Sequence, residues 1–254
     1  MVTDLQKASL WKRISAGLFD LILIAILAVG AAALLSVIFG YNTHNQNLTD
    51  AYARYEAQYG VEFQMTQAEF EALSQQEQDT YYQAYEALIA DEEVLYLYNL
   101  VLNLTLLIIT FSILLSLLIL EFAVPMLLKN GQTLGKKIFG IALMRVDGVK
   151  LTAVQLFIRT VLGKFTVEIM IPVYILIMIF FNSIGLVAVV VLGALLVGQV
   201  LSMTLSRTGG LLHDTIAATV AVDMASQMIF DTPEQKLEYI KRLHAEDAAR
   251  QEYK

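Results

Sequence analysis

Three long apolar stretches separated by polar segments set the pattern of this chain. Leu21–Phe39 holds 19 residues without a charge, and its apolar character reaches back past Asp20 to Ile14. Val94–Leu120 supplies 27 uncharged residues and continues beyond Glu121 to Leu128. Phe165–Leu205 is 41 residues long, interrupted by Glu168 and by the polar notch Asn182-Ser183-Ile184-Gly185. A helix rises about 1.5 Å per residue, so crossing about 30 Å of hydrocarbon takes roughly 20 apolar residues. The first two stretches predict one span each. The third is twice as long as one span needs, and its notch of turn-forming residues predicts a helical hairpin. The count is therefore four transmembrane helices. Lys12-Arg13 and Ala31-Ala32-Ala33 imitate a cleavable signal. The first stretch outruns the roughly 7–15 residues of a signal core and Asp20 interrupts it, so it is read as a retained helix.

The polar segments carry their own patterns. Within residues 41–93, Asp50 is placed to cap a helix that puts Tyr52, Tyr55 and Tyr59 on one face, with Gly60 ending it. Thr66 and Glu69 form a capping box for a second short helix. Tyr81, Tyr82, Tyr85, Leu88 and Ile89 make a helical stripe running without a breaker into the second span. Between the second and third spans, Asp147-Gly148 flanked by apolar residues predicts a β-hairpin. Leu156, Phe157, Val161 and Leu162 then alternate with Arg159 and Lys164, the mark of an amphipathic helix on a membrane surface. Thr219–Val222 has strand character and matches Ile141–Val146 as a pairing partner. The tail from Met224 to Lys254 mixes both charges, and Thr232-Pro233-Glu234 opens a solvated helix in it.

Charge orients the spans. Residues 41–93 contain eleven acids against Arg54 alone, whereas the central loop carries Lys129, Lys136, Lys137, Arg145, Lys150, Arg159 and Lys164 against Asp147. Basic loops stay cytoplasmic, so both termini and the central loop are expected inside and the acidic segment outside. The chain is 57% apolar and 16% charged, well below the quarter or so of charged residues in soluble domains. It has no cysteine, which excludes disulfides, thiolate metal sites and cysteine nucleophiles. His44, His213 and His244 are too scattered for a histidine metal cluster, and no phosphate loop, dinucleotide fingerprint or nucleic-acid module is present. A non-enzyme without a cofactor is expected.

The charged residues near the spans are the candidate chemistry. Arg13 and Asp20 are seven apart on one face of the first helix, about two turns. A carboxylate inside the inner leaflet costs at least about 2.5–3.5 kcal/mol unless paired or wetted, so Asp20 predicts a partner. Arg13 itself or Arg159 on the surface helix is the expected cation. Two roles fit an intramembrane acid, a structural ion pair or the handling of a proton or cation. Glu121 sits at the inner end of the second span, where Pro125 loosens the helix, and is expected to pair with a loop lysine. His213 beside Asp214 is a further pair.

Several of these pieces resemble the RDD family of bacterial membrane proteins, named for an arginine and two aspartates. Arg13 and Asp20 are similar to its opening motif. Gly131-Gln132-Thr133-Leu134-Gly135-Lys136 and Arg145-Val146-Asp147-Gly148, followed by Arg159, resemble its central stretch. His213-Asp214 with Thr219-Val220 resembles its closing segment, although Ala218 stands where the family commonly has glycine. The resemblance covers most of residues 8–223, leaving out the insertion 41–93 and the tail 224–254. It implies a plasma-membrane protein with a transport role. The candidates for handling an ion or proton, or for buried ion pairs, are Arg13, Asp20, Arg159, His213 and Asp214, with Glu121 and Arg145 secondary. The fold class is then an all-α membrane protein of four helices with a small cytoplasmic β-hairpin and an amphipathic surface helix. The alternative function is a scaffold or accessory subunit whose basic face binds anionic lipid or a partner membrane protein. A four-helix wall is thin for a pathway, so transport would call for a homo-oligomer. An intramembrane aspartyl protease is the weakest reading, because neither aspartate has a Gly-X-Gly-Asp setting.

Overall fold

The computed structural model describes residues 5–128, 131–170, 185–206 and 208–252. It divides into two compact units, Met1–Ala28 with Ile113–Lys254, and Val29–Ser112. Helix α1 runs Leu10–Ile38 and is followed at Gly40, in left-handed conformation, by α2 (Tyr41–Tyr59). Then come α3 (Gln67–Glu71), α4 (Gln75–Ala90) and α5 (Glu92–Leu127). Beyond these lie α6 (Leu134–Ile138), β1 (Ile141–Arg145), and α7, which is Ala153–Phe157 continued by the wider-wound Ile158–Ile169. The chain closes with α8 (Gly185–Leu205), α9 (Leu212–Ile216), β2 (Thr219–Asp223) and α10 (Pro233–Glu252).

Among the described residues, α1 and α5 are long and apolar enough to cross a membrane, with 29 and 36 residues. Their burial runs opposite to that of a water-soluble helix, whose apolar stripe faces the core. On α1, Trp11, Ile14, Leu18, Ile22 and Ile26 are exposed, whereas Ala16 and Asp20 are buried. Helix α8, 21 mostly apolar residues, likewise exposes Val189, Leu196 and Val200. Most of the span expected from Phe165, and its notch at Asn182-Ser183-Ile184, lie outside the described residues.

Helix α7 corrects the expected surface helix in two ways. It runs on to Ile169, so Phe165–Ile169 belong to it rather than to a span. Its side chains Val154, Phe157 and Leu162 are exposed, while its inward side is mixed, with Arg159, Thr160 and Gly163 buried beside the apolar Leu156 and Phe165. Arg159 is turned into the protein, where it joins a charge cluster.

The expected pairing of Ile141–Val146 with Thr219–Val222 is present as an antiparallel two-stranded sheet, Ile141 opposite Asp223 and Arg145 opposite Thr219. The Asp147-Gly148 turn closes as expected, with Gly148 N–H donating to Arg145 C=O at 2.9 Å. Its return limb forms only a single bridge, Met144 to Lys150, so the partner strand comes from far along the chain instead. The edge of β2 is covered by the N-terminal segment, Ala8 N–H donating to Ala221 C=O at 3.2 Å. Ala142, Met144, Val220 and Val222 form one core face with Leu5 and Ile229, and Ile141, Leu143 and Ala221 form the other with Ala8 and Ala16. The tail is less free than its composition predicts. Phe230 bonds Gly148 and Lys150 through its backbone, and only beyond it does α10 start at Pro233, as expected.

In the unit Val29–Ser112, α2 starts at Tyr41, nine residues before the expected cap Asp50, because positive φ at Gly40 already ends α1. Gly60 ends α2 and Thr66–Glu69 form their box as expected. Ser74–Glu77 form a second box. The tyrosine stripe does not run unbroken into the second span. Asp91 interrupts it by leaving the helical conformation and accepting from Glu93 N–H at 2.9 Å, which caps α5.

Candidate functional site

Nine ionisable side chains from five helices converge in the unit that holds both ends of the chain. The arrangement starts with glycine. At Gly135 any Cβ would stand 2.4 Å from the Ala16 carbonyl oxygen, so only glycine lets α6 lie against α1. That approach aims the first N–H groups of α6 at Asp20. Its carboxylate accepts from Gly135 N–H at 2.8 Å and from Thr133 Oγ1 at 2.5 Å, with Lys136 Nζ at 3.7 Å. An anion at a helix N-terminus meets unsatisfied amides and the positive end of the helix dipole, so the buried aspartate is stabilised.

Helix α5 delivers Glu121, which is 1% exposed. Pro125 has no N–H to return to the Glu121 carbonyl, and the helix widens over Leu118–Ala123 just before it. Thr160 Oγ1 fills the vacancy, donating to that carbonyl at 3.1 Å. The Glu121 carboxylate meets Lys164, Arg159 at 3.2 Å and Lys136 at 3.8 Å.

Arg159 is the hub. Its Nε donates to Asp214 at 2.9 Å, its Nη1 to Glu121 at 3.2 Å, and its Nη2 lies 2.8 Å from His213 Nε2. A guanidinium has no acceptor, so His213 Nε2 must be the unprotonated nitrogen. The ring proton is then on Nδ1, which donates to Glu168 at 2.7 Å. His213 is thereby held neutral, and burial pushes its pKa below the ordinary value, with Asp214 opposing and Arg159 adding to that shift. For Asp214, burial alone would raise the pKa. The Arg159 guanidinium, through its charge and its hydrogen bond, outweighs it with help from Lys136 and holds this carboxyl well below the usual range. Gly163 admits the contact: a Cβ there would lie 2.6 Å from His213 Cβ. With His213 neutral, Arg13, Lys136, Arg159 and Lys164 balance Asp20, Glu121, Glu168 and Asp214.

The RDD family profile matches residues 7–218. The chain belongs to the RDD family. No curated protein and no solved structure matches it. The arginine and two aspartates of the RDD motif occupy two places in this cluster. Arg13 reaches Asp214 at 3.9 Å and donates to Gly209 C=O at 2.7 Å, while Asp20 binds α6. Asp20 does have a cation beside it, as expected of a buried acid, but that cation is Lys136 at 3.7 Å rather than Arg13 or Arg159. Two helical turns separate Arg13 from Asp20 by about 10 Å, and each finds a nearer partner on another segment. The family match stops at Ala218, one residue before β2, although the sheet it forms with β1 is built against this site.

Of the residues singled out from the sequence, Arg13, Asp20, Arg159, His213, Asp214 and Glu121 assemble here. Arg145 does not; it pairs with Asp147 at 2.7 Å beside the turn. Thr133, Gly135, Lys136, Lys164 and Glu168 were missed as site residues. Glu168 had a signal, as the single charge in 41 residues, while the lysines read only as topology. Among the described residues no three His, Asp or Glu converge to hold a metal ion. The cluster faces a cleft of about 110 Å³ lined by Arg13, Gly17, Lys136, Arg159, Lys164 and Asp214, among others.

Proposed function

We propose that this RDD-family protein is a multi-pass plasma-membrane protein, both termini cytoplasmic, that moves a proton or small ion across the bilayer. The observation that carries the reading is the buried charge cluster opening on a small cleft, lined by Arg13, Lys136, Arg159, Lys164 and Asp214, beside lipid-type helix surfaces. Ionisable groups at such positions are expensive; they pair with one another and mark ion pathways and proton relays. Asp20, satisfied by a hydroxyl, an amide and a lysine, is assigned a structural part. His213 is assigned the proton-handling part, being neutral between a carboxylate and a guanidinium.

Purified protein in sealed vesicles with an internal pH dye, challenged with sodium or potassium, tests this. Flux above empty vesicles is expected, with His213→Gln abolishing it, since glutamine can keep both hydrogen bonds and cannot titrate. Asp20→Asn is expected to lower stability and leave flux per folded molecule unchanged. Folded protein without flux of protons or either cation overturns the transport reading. The second reading, a scaffold or accessory subunit binding anionic lipid or a partner membrane protein, is favoured by one observation: every carboxylate in the cluster already has a cation or His213 beside it. The same absence of flux would select it.

A further inference from the structure

The charges of the cluster are balanced in sum but not around the cleft. Of the ionisable side chains lining it, Arg13, Lys136, Arg159 and Lys164 are cations and Asp214 is the one carboxylate, with neutral His213 beside it. Arg159 and Lys164 are committed, by hydrogen bonds to Asp214 and Glu121. Arg13 and Lys136 meet their carboxylates only at longer range and without a hydrogen bond to them. Among the described residues, the nearest carboxylate oxygen stands 3.9 Å from the Arg13 guanidinium, and Lys136 Nζ has none closer than 3.7 Å. Both spend one bond on a neutral acceptor, Gly209 C=O at 2.7 Å and Thr133 Oγ1 at 3.1 Å. A guanidinium has five N–H donors and an ammonium three, so each retains unused donors. Two largely buried cations thus share a space of about 110 Å³. At about 30 Å³ of liquid volume per water, it has room for three or four waters or one tetrahedral oxyanion.

The opening of the cleft indicates how a ligand arrives. Gly17 lines it, is exposed, and has nothing within 4 Å of where a Cβ would be. It lies on α1 among the exposed apolar side chains Ile14, Leu18 and Leu21, two turns from exposed Trp11. Tryptophan and such a surface belong at the boundary between headgroups and hydrocarbon.

We propose that this cleft is a site for a phosphate group, with Arg13 and Lys136 as its ligands and Gly17 as its entrance. The inference rests on the reading of the cluster as the functional site of a membrane protein. The phosphate can come from a phospholipid headgroup of the inner leaflet or from free inorganic phosphate; both present the same tetrahedral anion to the same two cations. Charge-assisted bonds from arginine and lysine are the ordinary means of holding it.

Delipidated full-length protein in neutral detergent is titrated with inorganic phosphate, with short-chain phosphatidic acid, and with diacylglycerol of the same chains. Binding is read by native mass spectrometry and by thermal shift. One phosphate or phosphatidic acid per chain is expected, with diacylglycerol at least tenfold weaker. Arg13→Gln with Lys136→Gln should weaken binding at least tenfold. Gly17→Leu should do the same by filling the entrance while leaving the ligand-free melting temperature no lower than that of the wild type, which guards against mere misfolding of the charge variant. Binding of phosphatidic acid alone assigns the source to the bilayer, and binding of inorganic phosphate as well assigns it to the cytoplasm. Absence of both, diacylglycerol binding equally well, or a Gly17→Leu protein that binds like wild type overturns the site. Flux measured on the same preparation separates the failures: flux without phosphate binding removes this site and leaves the transport reading standing.

Discussion

Arg159 uses three nitrogens of its guanidinium for three partners, Asp214, Glu121 and His213. A lysine has one point of charge and cannot reproduce that fork. Arg159→Lys should therefore behave as a loss, exposing Asp214 and His213 to a half-empty site and costing about 3–5 kcal/mol, the range for breaking a buried pair. Thermal unfolding in detergent checks it, with Lys164→Gln as the milder comparison because Glu121 keeps Arg159 and Lys136. Ala218 poses the opposite case. It holds φ at 53°, a conformation that costs an L-residue roughly 1–2 kcal/mol. Ala218→Gly should raise stability by about 0.5–1 kcal/mol, part of the gain being lost to the greater freedom of glycine in the unfolded chain. A lower melting temperature would contradict this. Lys136 supplies the pH dependence. Burial lowers its pKa from 10.5 to about 8, against the pull of Glu121 and Asp20 and with the push of Lys164 and Arg159. As pH rises through about 8 it loses its proton, and phosphate binding should weaken. The unfolded chain keeps that proton up to about 10.5, so this group alone makes stability rise over the same window. Opposite slopes for binding and stability, measured between pH 7 and 10, are the expected result.

At the scale of elements, close approach decides what the charges can do. Helix α6 has only five residues and no helical stability of its own. Its position comes from Gly135 against the Ala16 carbonyl and from Asp20 at its N-terminus. Gly135→Ala should therefore destabilise by more than about 2 kcal/mol, since the Cβ must displace backbone rather than a flexible side chain. Gly17→Ala, in open space on α1, should be neutral or stabilising by up to about 1 kcal/mol from helix propensity. Equal melting temperatures for the two variants would show that α6 is not held as described. The same logic joins α5 to α7, where a proline frees one carbonyl and a threonine from the neighbouring helix takes it.

For the whole molecule the testable statement is topology. Single cysteines at Gln58, in the acidic segment, and at Lys150, beside the turn after β1, should label from opposite sides of the membrane. Labelling from one side would overturn the span count. The sequence by itself determined that apolar helices dominate, where α1 and α5 lie, that β1 matches β2 as a pairing partner, and that Arg13, Asp20, Glu121, Arg159, His213 and Asp214 are charges or polar groups in need of partners. These are local matters: apolar run length, strand pattern, and the cost of a charge in an apolar run are all written in consecutive residues. Only the tertiary structure decided which charge meets which. Spacing on one helix suggested Arg13 for Asp20, yet the partner is the N-terminus of a five-residue helix more than 110 positions later. The inward turn of Arg159 on α7 was likewise invisible, because periodicity shows that a helix has two faces but not which one meets protein. Pairing of charges depends on distances in space, and those were set by two glycines, a proline and a returning strand acting together.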